Sequence, residues 1–86
     1  MTFTVVWRPS AERNLAQAWL DAVDRQAVRD ATDAIDALLR TAPDEVGESR
    51  ASATRILTVS PLTVYYDVHH DDRVVAVWAV WRSPRD

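Results

Sequence analysis

The chain has 86 residues, no cysteine and one glycine, Gly47, which excludes a disulfide framework and a thiolate metal site and leaves the domain dependent on its core or on a partner. A formal net charge of −3 argues against general affinity for nucleic acid, which depends on neutralising phosphates. No apolar run approaches the ~18 residues that span a bilayer, and no basic segment precedes an apolar one at the N-terminus, so the expectation is one cytoplasmic domain over residues 1–86 without membrane contact.

Residues 2–7, TFTVVW, alternate like a short strand, and RPS then breaks it. Ser10 is the expected N-cap of a helix over residues 11–23, with Glu12 in its first turn complementing the dipole. Leu15, Trp19 and Val23 recur every four residues and Leu20 widens the stripe, which predicts that this face is buried. Asp24 caps a second helix in which Val28, Ala31, Ile35, Leu38, Leu39 and Ala42 recur at steps of three and four, until Pro43 ends it. So short a connection makes the two helices an antiparallel hairpin. Charge is uneven: residues 9–46 hold eight acids against four arginines, whereas residues 47–86 hold five of each. The segment 42–52, APDEVGESRAS, is polar and reads as a loop.

Three strands are expected after it, at 54–59, 62–69 and 73–81. A two-residue turn at Ser60 and Pro61 places Arg55 opposite Tyr66, Leu57 opposite Val64 and Val59 opposite Leu62. These residues, with Val68, form the side that lies under the helices, and Thr54, Ile56, Thr58, Thr63, Tyr65 and Asp67 form the other. An even-length loop around Asp71 and Asp72 then puts Tyr65 opposite Trp78, with Val75, Val77, Ala79 and Trp81 toward the helices and Val74, Ala76, Trp78 and Val80 away. The last strand is thus apolar on both sides, unlike a sheet with one face in water. Ile56, Tyr65, Trp78 and Val80 form a patch that either the chain's own termini or a partner covers, and the aromatic composition favours a partner.

The arginines are the remaining chemistry. Arg55 is expected on the helix side, stacked on Tyr66 and paired with an acid. Arg50 lies in the loop, where an arginine either binds phosphate or is only solvated. Arg82 and Arg85 sit at a strand end from which an anion is easily grasped. His69, His70, Asp71 and Asp72 surround a turn, and neighbouring strand residues point to opposite faces, so they read as a solvated hairpin and no metal site. No Ser, His and Asp arrangement and no glycine-rich phosphate loop is visible, so no cofactor is indicated.

The order of elements, with VVWRPSAERNLAQAWL near the start, DRQAVRDATDAIDALL, GESR at 47–50 and the arginine, PL, aromatic and DDRVV pattern of the strands, resembles the RelE/ParE toxin superfamily of bacterial type II toxin-antitoxin systems. The resemblance covers nearly the whole chain. It implies a two-layer α+β fold, β-α-α-β-β-β, in which the helix hairpin covers a four-stranded antiparallel sheet of order 1-4-3-2. It also implies a growth-inhibiting toxin of a plasmid-stabilisation-like module, neutralised by a cognate antitoxin, with a homodimer as a further option. One branch of that superfamily cleaves messenger RNA on the ribosome and another inhibits DNA gyrase. The nuclease reading carries over Arg55, Arg82, Arg85 and Tyr65 as the catalytic set. Thr63 stands where that branch has an arginine, and its C-terminal tyrosine has no counterpart up to Asp86. Those departures favour a weakened toxin or a ParE-like binding module whose surface comprises Arg50, Ile56, Tyr65, Trp78 and Val80, with the antitoxin lying across the Tyr65 and Trp78 face.

Overall fold

The structure is a computed structural model and describes residues 2–83. Seven elements follow one another: β1 (Thr4–Trp7), α1 (Pro9–Asp21), α2 (Arg25–Thr41), β2 (Glu48–Ala51), β3 (Thr54–Val59), β4 (Leu62–His69) and β5 (Val74–Arg82). The sheet has five strands in the order β1-β5-β4-β3-β2. The expected order of four is present within it, and two features differ. Residues Glu48–Ala51, read as loop, form an added edge strand paired with β3, and β1 runs parallel to β5, with Thr4 beside Val74 and Trp7 beside Val77. The added strand is exposed at all four positions, so it has no apolar alternation from which sequence could have recognised it.

The β3–β4 hairpin has the expected register, from Thr54 opposite Asp67 to Val59 opposite Leu62. The β4–β5 hairpin keeps its expected register only from His69 to Tyr66. The ladder then shifts by one residue, so that Tyr65 faces Ala79 and Val64 faces Val80, with Trp78 as the extra residue. A bulge of this kind inverts the faces beyond it. Val80 is therefore a core residue at 4% exposure and Trp81 is turned outward at 37%, the reverse of the sequence expectation for both.

Helix α1 starts two residues earlier than expected. Arg8 occupies the N-cap position with Pro9 in the first turn, where a missing N–H costs nothing. Ser10 does not cap; its hydroxyl donates to the Trp78 carbonyl at 2.7 Å, and the Val80 N–H donates to Asn14 Oδ1 at 3.2 Å. Strand β1 ends at Trp7, so α1 supplies hydrogen-bond partners for β5 beyond it, at the bulge. The contact is close because α1 presents small residues there: Ala11 and Ala18 are its buried positions. Of the predicted stripe, Leu15 is partly buried against the core, whereas Trp19 at 37%, Leu20 at 60% and, past the helix end, Val23 are exposed, contrary to expectation for those three. Helix α2 follows expectation. Asp24 caps it by accepting from the Ala27 N–H at 3.1 Å, and Val28, Ala31, Ile35 and Leu39 are buried against the sheet with Leu57, Leu62, Val64, Tyr66, Val68, Val75 and Val77.

Candidate functional site

Among the described residues, two apolar surfaces and a polar cleft stand out. The first surface is a groove of about 640 Å³ between α1 and α2, floored by Trp7 and Val28 and walled by Leu15, Trp19 and Leu20. Glu12 and Asp33 stand at its margin with Arg29. Arg25 is committed elsewhere: its guanidinium lies 4.4 Å from the centre of the Trp19 ring and donates to the Trp19 and Leu20 carbonyls at the end of α1. This contact holds the Trp19 ring in place by cation–π attraction while leaving the side chain beside open space.

The second surface is the sheet face opposite the helices. Tyr65 lies 5.0 Å from Trp78, tilted, and 4.8 Å from Trp81, edge-on, between ring centroids. The Trp78 indole N–H donates to Asp67 Oδ1 at 3.3 Å, and the Thr54 hydroxyl donates to the same oxygen at 2.7 Å. Ile56 sits next to Tyr65 across the β3–β4 ladder. Beside Trp81, three hydroxyls form a chain: Thr58 to Thr63 at 3.0 Å and Thr63 to Ser83 at 2.8 Å. The patch expected from Ile56, Tyr65 and Trp78 is present, with Trp81 in it and Val80 removed to the core.

The polar cleft, about 300 Å³, lies at the end of the sheet on the helix side, between Asp44, Ser52, Arg55 and His70. It exists because the α2–β2 loop is clasped to the sheet. Arg55 donates from Nε and Nη2 to the Val46 carbonyl at 3.3 and 3.2 Å, and from Nη2 to the Gly47 carbonyl at 3.2 Å. The buried Tyr66 hydroxyl, next to Arg55 in space, shares its proton between the Pro43 and Val46 carbonyls at 2.8 and 2.9 Å. Burial raises the Tyr66 phenol above its ordinary pKa, and the Arg55 guanidinium partly offsets this. His70 Nε2 meets Asp44 Oδ2 at 2.7 Å, so this histidine is tied to the loop and is not only solvated. Arg55 is thus opposite Tyr66 in the ladder as expected, but its partners are carbonyls; among the described residues it neither stacks on the Tyr66 ring nor forms an ion pair with an acid.

The three described residues of the nuclease reading, Arg55, Tyr65 and Arg82, do not come together. Arg55 occupies the helix side of the sheet and Tyr65 the opposite face. Arg82 reaches back to donate to the Asp21 carbonyl at 3.3 Å, and Arg85 lies outside the described residues. Arg50 extends from the edge strand toward Glu48, 3.5 Å away. The signal that sequence reasoning missed is the groove. Large apolar residues at helical spacing predict a core face, whereas in α1 the alanines between them mark the packed side.

No family model matches the chain, and no curated protein matches it in sequence. Its fold does match solved structures: the RelBE2 toxin-antitoxin complex of Mycobacterium tuberculosis at a TM-score of 0.79 and 15% identity, covering 95% of this chain and 92% of that one. A chromosomal ParDE system of P. aeruginosa matches at 0.74 and 17%, covering 96% and 98%. The isolated RelE toxin of E. coli matches at 0.66 and 17%, covering 98% and 87%. The chain thus shares its fold with these toxin-antitoxin structures, and its own sheet has five strands.

Proposed function

We propose that this chain is the toxin of a two-protein toxin-antitoxin module, of the plasmid-stabilisation kind, and that a cognate antitoxin neutralises it by laying a cationic amphipathic helix in the groove between α1 and α2. The groove is the observation that carries this reading. Of the five large hydrophobic residues most exposed among the described residues, Trp19 and Leu20 line it, and residues 9–46 around it carry eight acids against four arginines. An apolar floor with an acidic surround fits a helix that is apolar on one face and basic on the other. Burying the bare surface is worth ~25 cal/mol per Å², and Trp19 is the side chain best placed to dominate the contact. Two of the similar structures are complexes named for a toxin and its antitoxin, which supports such a partner.

The activity that the partner restrains is binding to a protein target in the manner of ParE, with DNA gyrase as the first candidate, in preference to messenger RNA cleavage on the ribosome. Cleavage requires cations around the scissile phosphate and a group that moves the 2′-hydroxyl proton, and Arg55, Tyr65 and Arg82 sit on different surfaces. Tyr65, Trp78, Trp81 and Ile56 offer the target an aromatic contact face. The test is expression in bacteria with and without the neighbouring gene, scoring growth, messenger RNA cleavage and DNA supercoiling. Growth arrest without new RNA ends, relieved by the neighbour and restored when Trp19→Asp is introduced, is the expected result. New RNA ends that disappear on removing Arg55 or Arg82 would establish the nuclease reading instead.

A further inference from the structure

We propose that strand β2 is the contact through which two copies of this chain associate, side by side and antiparallel about Ser49, extending the two sheets into one. Strand β2 is the free edge of the sheet: it pairs only with β3, and all four of its residues are exposed. One edge of an antiparallel-paired strand always leaves N–H and C=O groups without strand partners, and these template a further strand. The opposite edge is less available, since β1 is preceded by Phe3, whose N–H is already taken by the Arg40 carbonyl of α2 at 2.7 Å.

The charges on β2 select the occupant. Glu48 is opposite Ile56 in the ladder and Ser49 is opposite Arg55, so Glu48 lies on the aromatic face of the sheet and Ser49 on the helix side. Arg50 is the extra residue where the ladder shifts between Ser49 and Ala51, and its side chain reaches toward Glu48, with Nη2 3.5 Å from Glu48 Oε2. A twofold axis through Ser49 places Glu48 of one copy opposite Arg50 of the second, and Arg50 of the first opposite Glu48 of the second. Parallel pairing in register would put like charges opposite each other, which is unfavourable. An edge that carries an acid and an arginine on either side of a serine is therefore complementary to itself in one orientation, as a closed twofold contact demands. The wider field agrees. Each copy carries −3, but its acidity lies in residues 9–46, while residues 47–86 hold five acids and five arginines, so approach through β2 keeps the acidic helices apart. None of the residues lining the helix groove belongs to β2, so both grooves stay open in the pair.

The chain has no cysteine, which makes a single introduced thiol diagnostic. Opposed residues of an antiparallel pair have Cα atoms ~4.5–5.5 Å apart, within the span of a disulfide. Under mild oxidation Ser49→Cys should form covalent dimers, and Gln26→Cys, on the exposed side of α2, should form them far more slowly. Arg50→Glu alone and Glu48→Arg alone each oppose like charges, and each should weaken self-association measured by sedimentation roughly fivefold to tenfold. Mixing these two variants in equal amounts restores both opposite-charge pairs and should return the affinity to that of the wild type. Equal cross-linking of the two cysteine variants overturns the proposal, as does a mixture no tighter than its components. A wild type that stays monomeric while a co-expressed polypeptide protects the β2 amides from exchange also overturns it. These outcomes are independent of partner binding in the helix groove, which none of the four substitutions touches.

Discussion

A Cβ placed on Gly47 would stand 3.1 Å from the Tyr66 hydroxyl and would overlap the Ile56 carbonyl. The glycine also has φ +70°, the left-handed region that other residues adopt at a cost. Both constraints come from the same cause, the close approach of the α2–β2 loop to the sheet. Gly47→Ala should therefore lose about 2–4 kcal/mol, the sum of backbone strain and overlap. Urea unfolding measures this, and a midpoint equal to that of the wild type would mean the loop is not clasped.

Tyr66→Phe removes the proton shared by the Pro43 and Val46 carbonyls and should cost about 1–3 kcal/mol, the range for leaving buried acceptors without a donor. The raised phenol pKa adds a pH dependence. The unfolded chain releases the Tyr66 proton at its ordinary value, ~10, before the folded chain does. The stability conferred by the protonated phenol is thus complete below that value and is lost as pH rises through the raised folded value. Wild-type stability should fall more steeply than that of Tyr66→Phe above the ordinary tyrosine range. Parallel pH profiles would sink the assignment.

Trp19→Ala and Ile35→Ala separate scaffold from surface. Ile35 is fully buried, and its truncation should cost about 2–5 kcal/mol. Trp19 is 37% exposed at the groove and held by Arg25, so its truncation should cost less than that of Ile35, about 1–2 kcal/mol, while, on the proposed function, abolishing neutralisation by the partner. Equal losses of stability in thermal melts would return Trp19 to the core.

These contrasts show what could be read from sequence and what could not. Helix α2 was legible because its apolar positions repeat without interruption and its cap and terminator are adjacent. The β3–β4 register was legible because a two-residue turn leaves only one pairing. The register of β5 beyond Val77 was not, because the bulge at Trp78 carries no glycine or proline and its backbone is held by Ser10 and Asn14, more than sixty residues away in sequence. The packed side of α1 was misread for a related reason: residue size was taken as the sign of burial, whereas close packing on β5 selects alanine. Of the candidate site, Tyr65, Trp78 and Ile56 were visible as an unmatched aromatic face. The helix groove was not, since it exists only where two helices diverge over Trp7.

Arg82→Ala separates the two readings of the activity. The side chain is exposed and makes one long hydrogen bond, to the Asp21 carbonyl, so its loss should change stability by less than about 0.5 kcal/mol. If the chain inhibits a protein target through the aromatic face, the variant should arrest growth as the wild type does. Loss of growth arrest with an unchanged thermal midpoint would place Arg82 in the functional site.

Val80 and Trp81 give the sharpest test of the bulge and of the outer face together. Without the bulge, Val80 would face outward and Trp81 would lie under the helices; with it, Val80 packs against Val64 and Trp81 against Tyr65. A carboxylate at a core position is uncompensated and removes most or all of the stability of a domain this small. The same carboxylate at an exposed position is solvated and costs little. Val80→Asp should therefore yield an unfolded chain by circular dichroism, whereas Trp81→Asp should stay folded and, on the proposed function, keep the partner in the helix groove and lose growth inhibition, because it charges the face proposed to meet the target. A folded Val80→Asp beside an unfolded Trp81→Asp would restore the unbulged register. A folded Trp81→Asp that still arrests growth would move the target site away from the aromatic face.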